Sequence, residues 1–100
     1  MNRTEIMEMH DIPLYQLFET TFLGGVKVGT VHSHGAIHWL YVLPVLRGWD
    51  ANKQDLVTVE LMKSVGERIG TRESHRVLIY ADPIDYVRAM LIVEASGGEG

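Results

Sequence analysis

Three histidines lie close together before the middle of the chain, and their side chains are the ones best suited to chemistry. His32, His34 and His38 fall within one short stretch. In an uninterrupted strand all three would point to the same face of a sheet. Neutral imidazoles that converge on one point are ligands for zinc, copper or non-haem iron. These three histidines are therefore the candidate catalytic residues and, with a divalent metal, the candidate metal ligands.

The glycine inside this stretch argues against a common site. Gly35 is typical of a turn between two strands, and a turn would separate His34 from His38. No carboxylate that could complete a metal site lies nearby in the sequence. We therefore favour histidines on a solvated hairpin tip and predict no cofactor. Metal binding and metal-free acid–base chemistry stay as alternatives, and His10 or His75 could join either kind of site.

Two aromatic residues directly after the histidines are the candidate ligand-binding residues. Trp39 and Tyr41 begin the longest apolar run, which extends to Leu46. Residues of this kind more often lie in a core or an interface than on a stacking platform. The run is also far shorter than the roughly 20 residues that cross a membrane.

Composition excludes several functions. The chain has 100 residues, a formal net charge of −4 and no cysteine. Thiol catalysis, disulfides and cysteine metal sites are therefore excluded. The interspersed charges include no basic stripe that could neutralise phosphates, so we expect no nucleic-acid partner and no membrane partner. The first residues lack the layout of a secretory signal, which favours a cytoplasmic protein.

Two stretches carry clear helix signals. The first spans about 12–23, where Leu14, Phe18 and Phe22 recur at every fourth position and Gly24 supplies the stop. The second begins at a cap, Asp50 or Asn52, and ends at Gly70. Its apolar stripe consists of Val57, Leu61, Val65 and Ile69. Leu61 and Phe18, in the middle of their stripes, should be among the most buried residues.

The remaining apolar segments favour strands. We predict them at 26–31, 36–46 and 77–81, with a weak first strand at 5–9. The sequence from Asp82 to Asp85 is typical of a helix start, and a short strand at 91–93 would follow it. This order predicts an α+β, ferredoxin-like split βαβ sandwich, in which two helices cover one face of an antiparallel sheet.

The predicted fold leads to a functional hypothesis. Residues 1–95 form one domain, and 96–100 form a flexible, glycine-rich tail. Segments 36–46 and 77–81 are apolar on both faces, so something must cover the face opposite the helices. We expect a homodimer or larger closed oligomer that acts as a binding or interaction protein. It could hold an apolar small molecule at the sheet face. A small enzyme that uses His32, His34 and His38 is the alternative.

Overall fold

In the computed structural model, which describes residues 2–24 and 36–97, the described residues form helices joined by short connections and contain no strand. Side chains are described for 2–24 and 41–97. The helices are α1 (Arg3–Glu8), α2 (Asp11–Phe22), α3 (Ala36–Arg47), α4 (Ala51–Ile69), α5 (Ser74–Tyr80) and α6 (Pro83–Ala95). The predicted ferredoxin-like α+β sheet is therefore wrong. The predicted strand at 26–31 lies outside the described residues.

The first predicted helix is confirmed as α2. Leu14 and Phe18 are buried on its inner face, at the spacing of one helical turn. Phe22 continues this stripe and meets the ring of Phe18 edge to face at 5.2 Å. Gly24 follows with φ +60°, a left-handed backbone that favours glycine at the end of a helix.

The second predicted helix is confirmed as α4. Of the two candidate caps, Asp50 is the one used: its carboxylate accepts the Lys53 backbone N–H at 2.8 Å. Gly70 ends the helix with φ +71°. The predicted stripe is buried at its first three positions, whereas Ile69 is 37% exposed. The stripe therefore holds until the last turn of the helix.

Segment 36–46 was predicted as a strand and is helix α3. Val42 is buried and Val45 and Leu46 are half-buried, whereas Tyr41 and Pro44 are exposed. Burial at positions 42, 45 and 46 follows the helical period of 3.6, which the alternation of a strand cannot produce. Pro44 lies inside α3 and lacks the N–H that would bond to the carbonyl four residues earlier, so the helix continues with one backbone hydrogen bond fewer.

Segment 77–81 was predicted as a strand, but residues 77–80 form the last turn of α5 and Ala81 is its C-cap. Val77 and Ala81 are buried, whereas Ile79, between them, is 73% exposed. In a strand all three would share one face, so the burial pattern rules out the strand. A helix places positions 77 and 81 one above the other and turns position 79 away.

The weak first strand at 5–9 is wrong because a local cap makes this segment helical. The side chain of Asn2 accepts the backbone N–H of Glu5 at 2.9 Å. The Glu5 carboxylate in turn accepts the Asn2 N–H at 3.1 Å. This reciprocal capping box starts α1, which buries Ile6.

The predicted helix start at Asp82 is confirmed, but the strand at 91–93 is wrong. Asp82 and Asp85 form a capping box, with Pro83 in the first turn. The helix runs on through 91–93 as α6. Its apolar residues are buried on every side because α1, α2, α3 and α4 all pack against it. A segment buried all round has no polar face, so its sequence shows no helical period.

The core surrounds α6. Met90 and Val87 of α6 are fully buried, together with residues of the surrounding helices. Leu61 and Phe18 are 0% and 1% exposed, which confirms both as core residues. Arg88 of α6 donates a hydrogen bond to the Met9 carbonyl at 2.8 Å and so ties α6 to the junction of α1 and α2.

A second set of contacts lies at the C-terminal end of α6. Lys53 forms an ion pair with Glu94 at 2.6 Å and lies 4.1 Å from the centre of the Trp49 ring. Trp49 in turn meets Phe22 edge to face at 5.4 Å. These contacts join the start of α4 to the ends of α2 and α6. Within the described residues, no helix combines the length and apolar character needed to cross a bilayer.

Candidate interaction surface

The most prominent exposed apolar feature lies on α5. Leu78, Ile79 and Tyr80 are consecutive large side chains, 42%, 73% and 62% exposed. We call these three residues the α5 surface. Successive positions of a helix turn by about 100°, so Leu78 and Tyr80 lie on either side of Ile79 and the three together cover the outer half of α5. Single exposed apolar residues are ordinary on proteins, whereas a larger exposed apolar area is typical of an interaction site. Tyrosine adds a large, amphipathic ring of the kind enriched in interfaces.

Charged residues flank the α5 surface on its N-terminal side. The Glu73 carboxylate oxygen Oε2 lies 3.2 Å from His75 Nε2 and 3.1 Å from Arg76 Nε. Arg72 precedes them in the turn and is exposed. The surface therefore has an apolar centre with charges of both signs beside it, which is the usual anatomy of a protein interface.

The inner side of α5 packs closely against α4. Val77 is fully buried, and its Cγ2 lies 3.5 Å from where a Cβ on Gly66 would be. The same Cβ would lie only 3.0 Å from the Thr71 carbonyl oxygen. Glycine at position 66 therefore lets the connecting turn and α5 approach α4.

A buried carboxylate joins the ends of the helices on either side of α5. Arg68, on the last turn of α4, donates two hydrogen bonds to Asp85, of 3.2 and 3.1 Å. Asp85 is 5% exposed and also accepts the Asp82 N–H at 2.8 Å. The hydrogen bonds and the charge of Asp85 raise the pKa of Arg68, so the guanidinium stays charged.

Two tyrosines lie close enough to this carboxylate for their titration to respond to it. Burial, together with the charges of Asp11, Asp82 and Asp85, raises the pKa of Tyr15 to about 12. Burial and the charge of Asp85 also raise the pKa of Tyr86. Both rings therefore stay neutral at physiological pH, and neither has the lowered pKa of an activated general base.

A shallow groove runs along α4 to the turn before α5. Its volume is about 640 Å³, and it is open to solvent. Its lining mixes apolar, small and charged residues: Val59, Met62, Lys63, Gly66, Glu67, Gly70, Thr71 and Arg72. A site for an apolar small molecule is normally a concave pocket that buries most of its ligand. This groove does not provide one.

The predicted histidine site is not assembled by the described residues. His32 and His34 lie outside them, and His38 lies in the first turns of α3, with its side chain also outside the description. His10 is exposed at the start of α2, and His75 is exposed on α5. Among the described residues, no three side chains of the metal-ligating types come together. The shared face of a strand, which motivated the site, does not apply to His38 in a helix.

Trp39 and Tyr41, the predicted ligand-binding residues, do not share the face of a strand as expected. Trp39 and Tyr41 both belong to α3, where positions two apart lie on different sides of the helix. Tyr41 is 36% exposed, and the side chain of Trp39 lies outside the description. The sheet face that was predicted to hold an apolar small molecule is not formed by the described residues, which contain no strand.

Sequence reasoning identified segment 77–81 as apolar on both faces and in need of cover, but placed it in a strand instead of a helix. Residues 77–80 are four apolar positions in a row, followed by Ala81 and preceded by Arg76. A helix as short as α5 cannot bury four consecutive side chains against a single neighbour, because they point in every direction around its axis. The Arg68–Asp85 pair had no comparable signal, since its partners are 17 positions apart.

Comparisons with models of protein families, with curated proteins and with solved structures gave no match for this chain. A proposal for its function therefore rests on the α5 surface and the charges around it.

Proposed function

We propose that this chain is a small helical interaction protein that associates with a second copy of itself through the α5 surface. The exposure of Leu78, Ile79 and Tyr80 supports the proposal, because three large consecutive apolar side chains in water are costly. Association would remove them from water. The proposal retains the self-association expected from the sequence but moves it from a sheet to a helix.

The charges near α5 favour a second copy as the partner. Glu73 and Arg76 supply opposite signs at the edge of one surface, so two copies related by a two-fold axis can bring unlike charges together. Residues 72–76 carry two arginines and one glutamate, whereas the whole chain has a net charge of −4. The charge beside the α5 surface is therefore small and of mixed sign, so two copies that meet there bring little like charge together.

The size of the α5 surface sets the expected affinity. Three partly exposed side chains offer an apolar patch on the order of a few hundred Å². A stable interface buries about 800 Å² on each partner. We therefore expect a reversible dimer with a dissociation constant on the order of tens of micromolar, not an obligate one.

A cytoplasmic location belongs to the same proposal. The chain has no cysteine. An oxidising compartment would therefore offer it no disulfide to stabilise a small fold.

Sedimentation velocity over a concentration series tests the proposal. The series should run from about 1 to 500 µM, so that it brackets the expected dissociation constant. The sedimentation coefficient should rise with concentration for the native chain. Ile79→Glu places a charge at the most exposed position of the α5 surface, and we expect it to weaken association about 30-fold or more.

Ile12→Glu is the matched control for this experiment. Ile12 is 54% exposed on α2, so the substitution makes the same chemical change at an exposed apolar position of another helix. It should leave the concentration dependence unchanged. A native chain that stays monomeric over the whole series would contradict the proposal, and so would equal effects of the two glutamates.

A further inference from the structure

α5 lies on a segment that is joined to the core at its two ends and packs mainly against one helix. The chain leaves α4 at Gly70 and re-enters the core at Asp82, and α5 lies between these points. It packs mainly against α4, with Val77 set beside Gly66. A helix of seven residues is too short to be stable alone in water. Its orientation therefore depends on what holds the two ends of this segment.

The Arg68–Asp85 ion pair holds those two ends together. Arg68 lies two positions before Gly70, and Asp85 lies three positions after Asp82. The guanidinium makes two parallel hydrogen bonds to the carboxylate, at 3.2 and 3.1 Å. Such a fork fixes angle as well as distance, which a single contact does not. Asp85 also accepts the Asp82 N–H, so one carboxylate fixes both the end of α4 and the point where the α5 segment returns.

We infer that Arg68 and Asp85 form a positioning clamp that keeps the α5 surface in its binding orientation. The inference rests on the proposed self-association, but the clamp also has an effect within the single chain. Arg68 is 53% exposed and Asp85 is 5% exposed. Loss of the arginine therefore removes a group that is half in solvent, while the Asp82 N–H can still donate to the Asp85 carboxylate and cap the start of α6.

Hydrogen exchange and sedimentation of two Arg68 variants test the clamp. Arg68→Gln removes the charge and the fork, and Arg68→Lys keeps the charge but loses the fork. At a concentration where the chain is monomeric, we expect the Arg68→Gln amides of residues 77–80 to exchange about tenfold faster than native. The amides of 90–93 in α6 should accelerate less than those of 77–80, because the α6 core is held by packing on every side. At higher concentration, association should weaken about fivefold or more.

Arg3→Gln is the matched control, because Arg3 forms an ion pair with Glu60 elsewhere on α4. It should change neither the exchange of 77–80 nor the association. Arg68→Lys should fall between native and Arg68→Gln in both measurements, and it keeps the test open if Arg68→Gln unfolds. Unchanged exchange of 77–80 in both Arg68 variants would overturn the clamp. A native chain that never associates, with accelerated exchange in the variants, would overturn the proposed function and leave the clamp standing.

Discussion

α5 and α6 are consecutive helices of similar apolar character in opposite environments. Eight of the thirteen residues of α6 are buried, and its neighbours α1, α2, α3 and α4 cover it on every side. One of the seven residues of α5 is buried, and α4 is its main neighbour. Composition therefore does not decide whether an apolar helix is buried. The number of helices that pack against it does.

The contrast also explains why α6 contributes mainly to the stability of the fold and α5 mainly to the proposed association. A helix enclosed on all sides uses its apolar residues for stability, since each one removed from water contributes to folding. A helix with one neighbour uses only its inner residue in this way and leaves the others in solvent. Those exposed residues contribute little to the fold of one copy but remain available to a partner. Stability and association should therefore respond to different substitutions.

The largest expected effect is the loss of a core side chain in α6. Met90→Ala should lower the free energy of unfolding by about 2–5 kcal/mol, because Met90 is fully buried and a cavity would remain. Ile79→Ala on α5 should change it by about 0.5 kcal/mol or less, since this side chain is 73% exposed. Urea denaturation at low protein concentration measures both. Similar losses from the two substitutions would remove the contrast between the helices.

A smaller effect is expected where α5 meets α4. Gly66→Ala would gain about 1 kcal/mol of helix propensity, but its Cβ would lie 3.0 Å from the Thr71 carbonyl oxygen. Overpacking against a backbone atom costs about 1–3 kcal/mol, so we expect a net loss of about 1 kcal/mol. Ser64→Ala on the same helix is the control and should gain a few tenths of a kcal/mol, about 0.5 at most. A stabilised Gly66→Ala variant would show that α5 does not need this close approach.

Local signals in the sequence were sufficient to predict the helices that have a polar face. α2 and α4 could be predicted because their apolar residues recur at helical spacing and because Asp50 and Gly70 mark the ends of α4. The start of α6 could be predicted for the same reason, from Asp82 and Pro83. In each case the evidence lies within a few residues of the feature it predicts.

The rest of the fold depended on contacts between distant segments. Segments 36–46, 77–81 and 91–93 are rich in β-branched and aromatic residues, and without a polar face they show no period that separates a helix from a strand. In α6 the deciding factor is enclosure by other helices, which outweighs the β preference of Ile92 and Val93. The histidine site stays a prediction because His32 and His34 lie outside the described residues, but the shared strand face that suggested it does not apply to His38 in α3.

The last expected effect appears only at alkaline pH and concerns Tyr15, which lies near the carboxylates at the start of α6. Tyr15 is half-buried, and burial together with Asp11, Asp82 and Asp85 raises its pKa to about 12. In the unfolded chain a tyrosine titrates near 10. The folded state therefore binds the phenolic proton more tightly. This contribution to stability is fully present below about pH 10 and is lost as the pH rises from about 10 to about 12.

Alkaline titration of two tyrosine variants measures this contribution. The thermal midpoint of the native chain should fall between about pH 10 and pH 12, and in Tyr15→Phe it should fall less, because the variant has no proton to lose at this position. Tyr80→Phe is the matched control: Tyr80 is 62% exposed on α5, so its removal should leave the native slope in place. The tyrosinate absorbance that disappears in Tyr15→Phe should have its midpoint near 12. A midpoint near 10 would mean that this ring titrates as in the unfolded chain, and that the start of α6 is as open to water as the outer side of α5.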